Sequence, residues 1–192
     1  MANKKEILYA TSNPGKFEEV ASFIQQHEPS IKLVQFSADI PEIQTLDQKA
    51  IAIDKAKKAW DLARRPLLVD DAAIYFDNYN QFPGTLTKFI WHGLGFEGMK
   101  KLYEAGDPAR FFLYMVYIDG SGLNNYEVFD GLCEGSLTKP EKFTADTSLP
   151  YDSIFKPSGC DKTYEHLRNT QEAKKYLYRL RALRKFLIWY KS

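Results

Sequence analysis

The residues best suited to chemistry lie at two places in the first 71 positions. Thr11, Ser12, Asn13, Gly15 and Lys16 fall within "YATSNPGKFEEV", residues 9–20, between an apolar segment and an acidic helical one. A helix start has unpaired N–H groups and the positive end of the helix dipole, so a short Gly-containing turn with a Lys there suits a phosphate. The same residues also suit an ordinary capped helix. Ser12 or Asn13 is a natural N-cap, Pro14 fits the first helical position, and Glu18 and Glu19 favour the early turns. The spacing is neither a Walker loop nor a Rossmann fingerprint.

The second place is acidic. Asp70 and Asp71 close the run "LLVDD", and Glu42 lies in "DIPEIQ" on a loop leading to a helix. Together they could form a cluster of hard oxygen ligands, the kind Mg²⁺ prefers when substrate phosphates and water fill its other positions. A free carboxylate among them could serve as general base towards an attacking water, with Lys16 sharing the neutralisation of phosphate charge. A solvated strand end or helix cap would use the same acid pair. His27, His92 and His166 form no HxxxH or HExxH pattern, and no GxSxG elbow is present.

Composition narrows the partners. The 192 residues are 44% hydrophobic and 27% charged with a formal charge of +1, an ordinary globular balance that points to a small ligand. Nucleic-acid polymers and anionic membranes are not indicated. Cys133 and Cys160 have no CxxC spacing and read as reduced, incidental thiols. No run of 18 apolar residues and no signal-like h-region occurs, which leads to the expectation of a cytoplasmic protein.

Stepping from the reactive residues to the elements that carry them, "EILYAT" predicts a buried strand and residues 13–26 a helix with Phe17, Val20, Phe23 and Ile24 on its apolar side. "IKLVQF" predicts a second strand. Residues 48–63 predict an amphipathic helix whose face holds Ala50, Ile53, Lys57 and Trp60, ended by "RRP". "LLVDD" predicts a short strand that delivers its two carboxylates at its end, where ligands gather in α/β sheets. Further on, "FPGTLTKFIWHGLGFEGMKKL" predicts a Pro-Gly turn and two short helical pieces broken by glycines. "RFFLYMVYID" and "NNYEVFDGLCEGSL" predict a hairpin of long strands. "TADTSLPYDSIFKPSGCDKTYEHL" predicts irregular structure, and a last helix carries Leu180, Leu183 and Leu187. The whole chain, 1–192, is expected to be one folding unit with two lobes.

These pieces add up to a resemblance. "TSNPGKFEEV", "DIPEIQ", "LLVDDAAIYFD", "FPGTLTKFI", "FDGLCEGSL", "YDSIFKPSGCDKTYEHL" and "RLRALRKF" occur in the order and spacing of the inosine triphosphate pyrophosphatase family, the house-cleaning enzymes for deaminated purine nucleotides. The match covers nearly the whole chain, and its spacing resembles the eukaryotic form of the family. The resemblance implies an α/β fold, a mixed, elongated two-lobed sheet with flanking helices and a central nucleotide cleft, usually homodimeric. It implies Mg²⁺-dependent hydrolysis of nucleoside triphosphates such as ITP, dITP and XTP to the monophosphate and pyrophosphate. Carried over by motif, Thr11, Asn13 and Lys16 hold the phosphates, Glu42 and Asp71 position the metal and water, and Asp70 supports them.

The departures from the family pattern lie at the base. Phe-Gly-Trp-Asp becomes Leu149, Pro150, Tyr151 and Asp152, which removes a stacking face worth about 1–3 kcal/mol at Leu149. The family's Ser-His-Arg becomes Leu177, Tyr178 and Arg179, so the expected donors to the 6-oxo group of the base are altered. Lys174 stands near the family's base-contacting Lys with the spacing one residue short, and Lys175 or neither is the alternative. After the acid pair, Ser-Gly becomes Ala72-Ala73. The expectation is therefore a pyrophosphatase with an altered base pocket, the alternatives being the same reaction on another base or a nucleotide-binding protein with little turnover.

Overall fold

The computed structural model describes residues 5–141, 149–168 and 170–192. It is a mixed α/β fold built on a six-stranded sheet of order β2-β1-β3-β4-β5-β6. The strands are β1 (Lys5–Ala10), β2 (Ile31–Phe36), β3 (Leu67–Phe76), β4 (Pro108–Ile118), β5 (Tyr126–Leu137) and β6 (Phe155–Pro157). Helices α1 (Pro14–His27), α2 (Gln48–Ala63), α3 (Thr87–Met99), α4 (Tyr164–Leu167) and α5 (Tyr178–Tyr190) are joined by 3₁₀ turns at Gly84–Leu86, Pro150–Ser153 and Gln171–Lys175. β1 runs parallel to both β2 and β3, and β6 is antiparallel to β5.

The chain divides into two compact units, with β3, β4, β5 and α5 each contributing residues to both. The first comprises residues 1–71, 113–131 and 179–192. In it, strand alternation gives the sheet two faces. Leu8, Ala10, Leu67, Val69, Val116 and Ile118 turn towards α2 and pack on Ala52, Ala56, Ala59 and Trp60. The α2 stripe is therefore Ile51, Ala52, Ala56, Ala59 and Trp60 rather than the expected Ala50, Ile53, Lys57 and Trp60, a rotation of the helix that puts its small residues against the sheet. Arg64 ends α2 in the left-handed region at φ 50°. The α5 stripe includes the expected Leu180, Leu183 and Leu187, and Phe186 meets Tyr117 and Phe129 edge-on or tilted.

The second unit comprises residues 72–112 and 132–178. Its core is aromatic. Phe111 stacks on Tyr178 at 4.8 Å and meets Phe155 edge-on at 4.9 Å, with Tyr164 tilted against both Phe111 and Phe155. The Pro-Gly turn is a cis Phe82–Pro83 bond followed by Gly84, and α3 kinks at Gly95, giving the two helical pieces expected there. β4 and β5 are neighbours joined by residues 119–125, the expected hairpin. Of the segment predicted to be irregular, residues 144–148 lie outside the described residues, while the rest holds two 3₁₀ or helical turns and β6.

One expectation is corrected. β3 does not end at the acid pair but continues through Phe76, so Asp70 and Asp71 sit in the middle of a ten-residue strand. The run Ala72, Ala73, Ile74, Tyr75 and Phe76 has the apolar and β-branched or aromatic character that keeps a strand going. At the far end of the sheet, Gly135 faces Pro157 across β5 and β6. A Cβ there would overlap the Lys156 carbonyl oxygen and lie 2.6 Å from Phe155 Cζ. Gly135→Val is expected to lower stability by about 1–3 kcal/mol through overpacking. Thermal or urea denaturation of the variant against the parent chain checks this, and an unchanged midpoint would refute it.

Candidate active site

The turn after β1 is organised by its own side chains. The Asn13 N–H donates to Thr11 Oγ1 at 3.2 Å, and Asn13 Oδ1 accepts from the Lys16 N–H at 3.1 Å. Asn13, of the two candidates, is the N-cap, and Pro14 occupies the first helical position. This cap fixes where Lys16 leaves the first turn of α1. Its ammonium lies 3.6 Å from Asp70 Oδ1, and its side chain keeps about a quarter of its surface exposed, at 23%.

Strand geometry separates the two acids. Successive side chains of a strand point to opposite faces, so Asp71 shares the face of Leu67 and Val69 towards α2, and Asp70 takes the other face. On its face Asp70 meets α5 and α1: Arg179 Nε donates to Asp70 Oδ2 at 2.6 Å, and Arg179 Nη1 donates to Glu19 Oε2 at 3.1 Å. Arg179 and Asp70 are both almost fully buried. Burial alone would raise the Asp70 pKa, but Lys16 and Arg179 together hold the carboxyl well below the ordinary range. The buried Tyr9 hydroxyl faces the same carboxylate, and burial and Asp70 push its pKa up. Lys16 is itself pulled down by burial and by Arg179.

Asp71 has the opposite environment. Burial, with Glu42 adding like charge, pushes its carboxyl up to about 6, against the pull of Lys55, Lys16 and a hydrogen bond from Gln48. Gln48 is buried at the start of α2, and its Nε2 also donates to the Asp71 carbonyl oxygen at 3.1 Å. Two turns further along α2, the Lys55 ammonium donates to Glu42 Oε1 at 2.6 Å. Despite burial, Glu42 holds the Lys55 pKa above its usual value. Neither Gln48 nor Lys55 stands out in the sequence, because a lysine among alternating charges on a helix reads as a solvated face. Their spacing of seven residues, which repeats on one side of a helix, was the available signal.

The expected three-acid cluster therefore does not form as one set. Asp70 is committed to Arg179 and Lys16 on one face, leaving Glu42 and Asp71 near each other on the other. Among the described residues no group of three or more His, Cys, Asp or Glu is gathered as a metal cluster. A two-carboxylate donor set still fits Mg²⁺, which takes one or two carboxylates and fills its remaining positions with water and phosphate. The chemistry of the donor set supports the fit: Asp71 and Glu42 are hard carboxylate oxygens of like charge on the same side of β3.

The residues expected near a base sit as follows. Within the second unit, Tyr151 donates its hydroxyl to the Thr87 carbonyl oxygen at 2.8 Å and its ring tilts against Trp91. Asp152 is buried in a two-pronged pair with Arg168, whose Nη2 lies 3.1 Å from Oδ1. Leu149 is half-buried, Lys174 is half-buried and Lys175 exposed. Leu177 is buried, and the Tyr178 ring is stacked in the aromatic core. Arg179, expected at the base, has its guanidinium on Asp70 and Glu19 within the first unit.

A mixed α/β sheet with a capped, lysine-bearing helix start beside two differently tuned carboxylates defines a protein of phosphate chemistry. Residues 7–189 match the Ham1 family, and the chain belongs to it. It is 29% identical over 191 residues to the dITP/XTP pyrophosphatase of Pyrococcus horikoshii, covering 97% of each chain. It is 31% identical over 192 aligned positions to the inosine triphosphate pyrophosphatase of Candida glabrata, covering 90% of this chain and 97% of that one. The fold is shared with a HAM1 protein from Coxiella burnetii at a TM-score of 0.73 and 21% identity, with 98% of this chain and 100% of that one covered.

The tuning of Asp71 has a measurable consequence. A carboxyl whose folded pKa is about 6, above the usual 3.8, costs stability that grows as pH rises from the unfolded value through 6. With divalent ions removed by a chelator, Asp71→Asn should melt a few degrees above the parent at pH 8 and together with it at pH 4. Melting curves at the two pH values test this, and a gain present equally at both would count against the burial of the Asp71 charge.

Proposed function

We propose that this chain hydrolyses deaminated purine nucleoside triphosphates, dITP, XTP and ITP among them, to the monophosphate and pyrophosphate. The observation that carries the reading is the opposed surroundings of adjacent carboxylates: Asp70 paired with Lys16 and Arg179 on one face of β3, Asp71 beside Gln48, Glu42 and Lys55 on the other. Two neighbouring acids in such different surroundings divide the labour, Asp70 as a fixed anchor and Asp71 as the acid left to meet the metal and the attacking water. The names of the relatives from P. horikoshii and C. glabrata support the substrate class.

In this reading the turn of Thr11 and Asn13 and the Lys16 ammonium bind the phosphates. Asp71 accepts the proton of a water whose oxygen bonds to the α-phosphorus while the α–β bridging bond breaks and pyrophosphate leaves. Gln48 fixes Asp71 through its carboxyl and carbonyl oxygens. Lys55 holds Glu42 in place through its ammonium. Glu42 and Asp71 would hold a Mg²⁺ ion, which when bound offsets phosphate charge and lowers the pKa of the attacking water. Base selection falls to Leu149, Tyr151, Asp152, Lys174, Tyr178 and Arg179, with Lys175 the alternative to Lys174. The same reading takes 1–192 as one catalytic domain, homodimeric and cytoplasmic, and a solution mass twice that of one chain checks the dimer.

A second observation bears on specificity. The Tyr178 ring lies flat on Phe111, 11° from parallel, and Leu177 beside it is buried and has no side-chain hydrogen-bonding group. A site without its full set of donors discriminates weakly. The preference for ITP over ATP is accordingly expected to be smaller than that of the C. glabrata relative measured side by side.

Pyrophosphate release from ITP, dITP, XTP and the common nucleoside triphosphates, with Mg²⁺ and with a chelator, tests the reading. Metal-dependent release from the deaminated purines is expected, and Asp71→Asn should reduce it at least about a hundredfold while leaving the circular dichroism unchanged. Activity confined to another base would move the substrate. No release from any nucleotide, with binding retained, would make the chain a nucleotide-binding protein.

A further inference from the structure

Resting on the phosphate-binding role of Lys16, we propose that Tyr9 is a positioning residue whose hydroxyl takes the place of the Lys16 ammonium on Asp70 when the lysine turns to the triphosphate. Tyr9 lies on β1 and pairs with Leu68 of β3 in the parallel register. Leu8 and Ala10 turn towards α2, so Tyr9 takes the opposite face, the face of Leu68 and Asp70. Asp70 is then the diagonal neighbour of Tyr9 across the two strands, about 8 Å away between Cα atoms, a span that a tyrosine and an aspartate side chain together cover. Tyr9, Lys16 and Asp70 all belong to the first unit.

The Tyr9 hydroxyl is buried and has no hydrogen-bond partner among the described residues. A hydroxyl kept from water without a partner is costly, and a phenylalanine ring would fill the same space without that cost. The carboxylate it faces is already occupied: Arg179 Nε donates to Oδ2 at 2.6 Å, and the Lys16 ammonium stands 3.6 Å from Oδ1. The lysine contact is longer than a hydrogen bond and its side chain is 23% exposed, so Oδ1 is the oxygen uncovered when the lysine leaves. A buried carboxylate that loses a cation must gain a donor. Burial and Asp70 keep the proton on the Tyr9 oxygen, which makes the phenol a donor and not a competing anion. Tyr9 thus sets how freely Lys16 exchanges one anion for another, acting through Asp70.

The test is a stability cycle read by thermal melting of the ligand-free chain at pH 8, with Lys16→Met imitating the departed lysine. Tyr9→Phe in the parent chain should melt at or above the parent temperature, because it removes an unpartnered hydroxyl. In the Lys16→Met background the same change should melt a few degrees lower, because there the hydroxyl donates to Asp70. A merely packed Tyr9 would shift both chains by the same amount. Calorimetry with inorganic triphosphate on the metal-free chain gives the second reading: Tyr9→Phe should weaken binding about fivefold, since Asp70 then has no donor to exchange for Lys16. An equal melting shift in the two backgrounds, or unchanged triphosphate binding in Tyr9→Phe, would each overturn the inference while leaving the phosphate role of Lys16 standing. Turnover of dITP by the parent chain with Mg²⁺, measured in parallel, tests the proposed activity separately. A parent chain that binds no triphosphate would overturn both the inference and the role of Lys16.

Discussion

A carboxylate in the middle of a buried strand is tolerated only where cations reach it, and the arrangement of the first unit follows from meeting that condition at Asp70. Arg179 must enter from α5 and Lys16 from α1, so both helices are fixed against the same face of β3. The alternation of the strand then turns Asp71 the other way, towards α2, where the available partners are Gln48, Lys55 and Glu42. Two acids one residue apart receive environments of opposite sign without any special backbone, because period two is inherent in a strand.

That division explains why acids of the same type in one dipeptide can do different work. Asp70 is surrounded by positive charge and behaves as a structural anion. Asp71 is half-buried with Glu42 close enough to repel it and with lysines that compensate only in part. A site of this kind favours the arrival of positive charge or of a proton. Stability is lost at Asp71 and gained at Asp70, a pattern common where a fold carries chemistry.

The second unit follows a different rule. Its interior is held by aromatic rings around Phe111, Phe155, Tyr164 and Tyr178 and by the buried pair of Arg168 with Asp152. Membership of the Ham1 family goes with the mixed sheet. Leu177 and Tyr178 present an apolar and an aromatic side chain to this interior.

By itself the sequence determined the elements and the turn before α1: the periodicity of apolar residues, a cap at Ser12 or Asn13 followed by Pro14, the Pro-Gly turn and the glycine break in α3 are local, and local signals survive into the fold. It also singled out Lys16, Glu42, Asp70 and Asp71, because unusual residue types in a short apolar or loop context are visible along the chain. Only the tertiary structure decided that β3 runs on past its acids, that Asp70 and Asp71 face opposite ways into different helices, and that Arg179 serves Asp70. It likewise revealed Gln48, Lys55 and Glu19, whose types are ordinary on amphipathic helices. The physical reason is distance along the chain: Arg179 and Asp70 are 109 positions apart and Arg179 and Glu19 are 160 apart, and no local pattern encodes which buried charge will meet which.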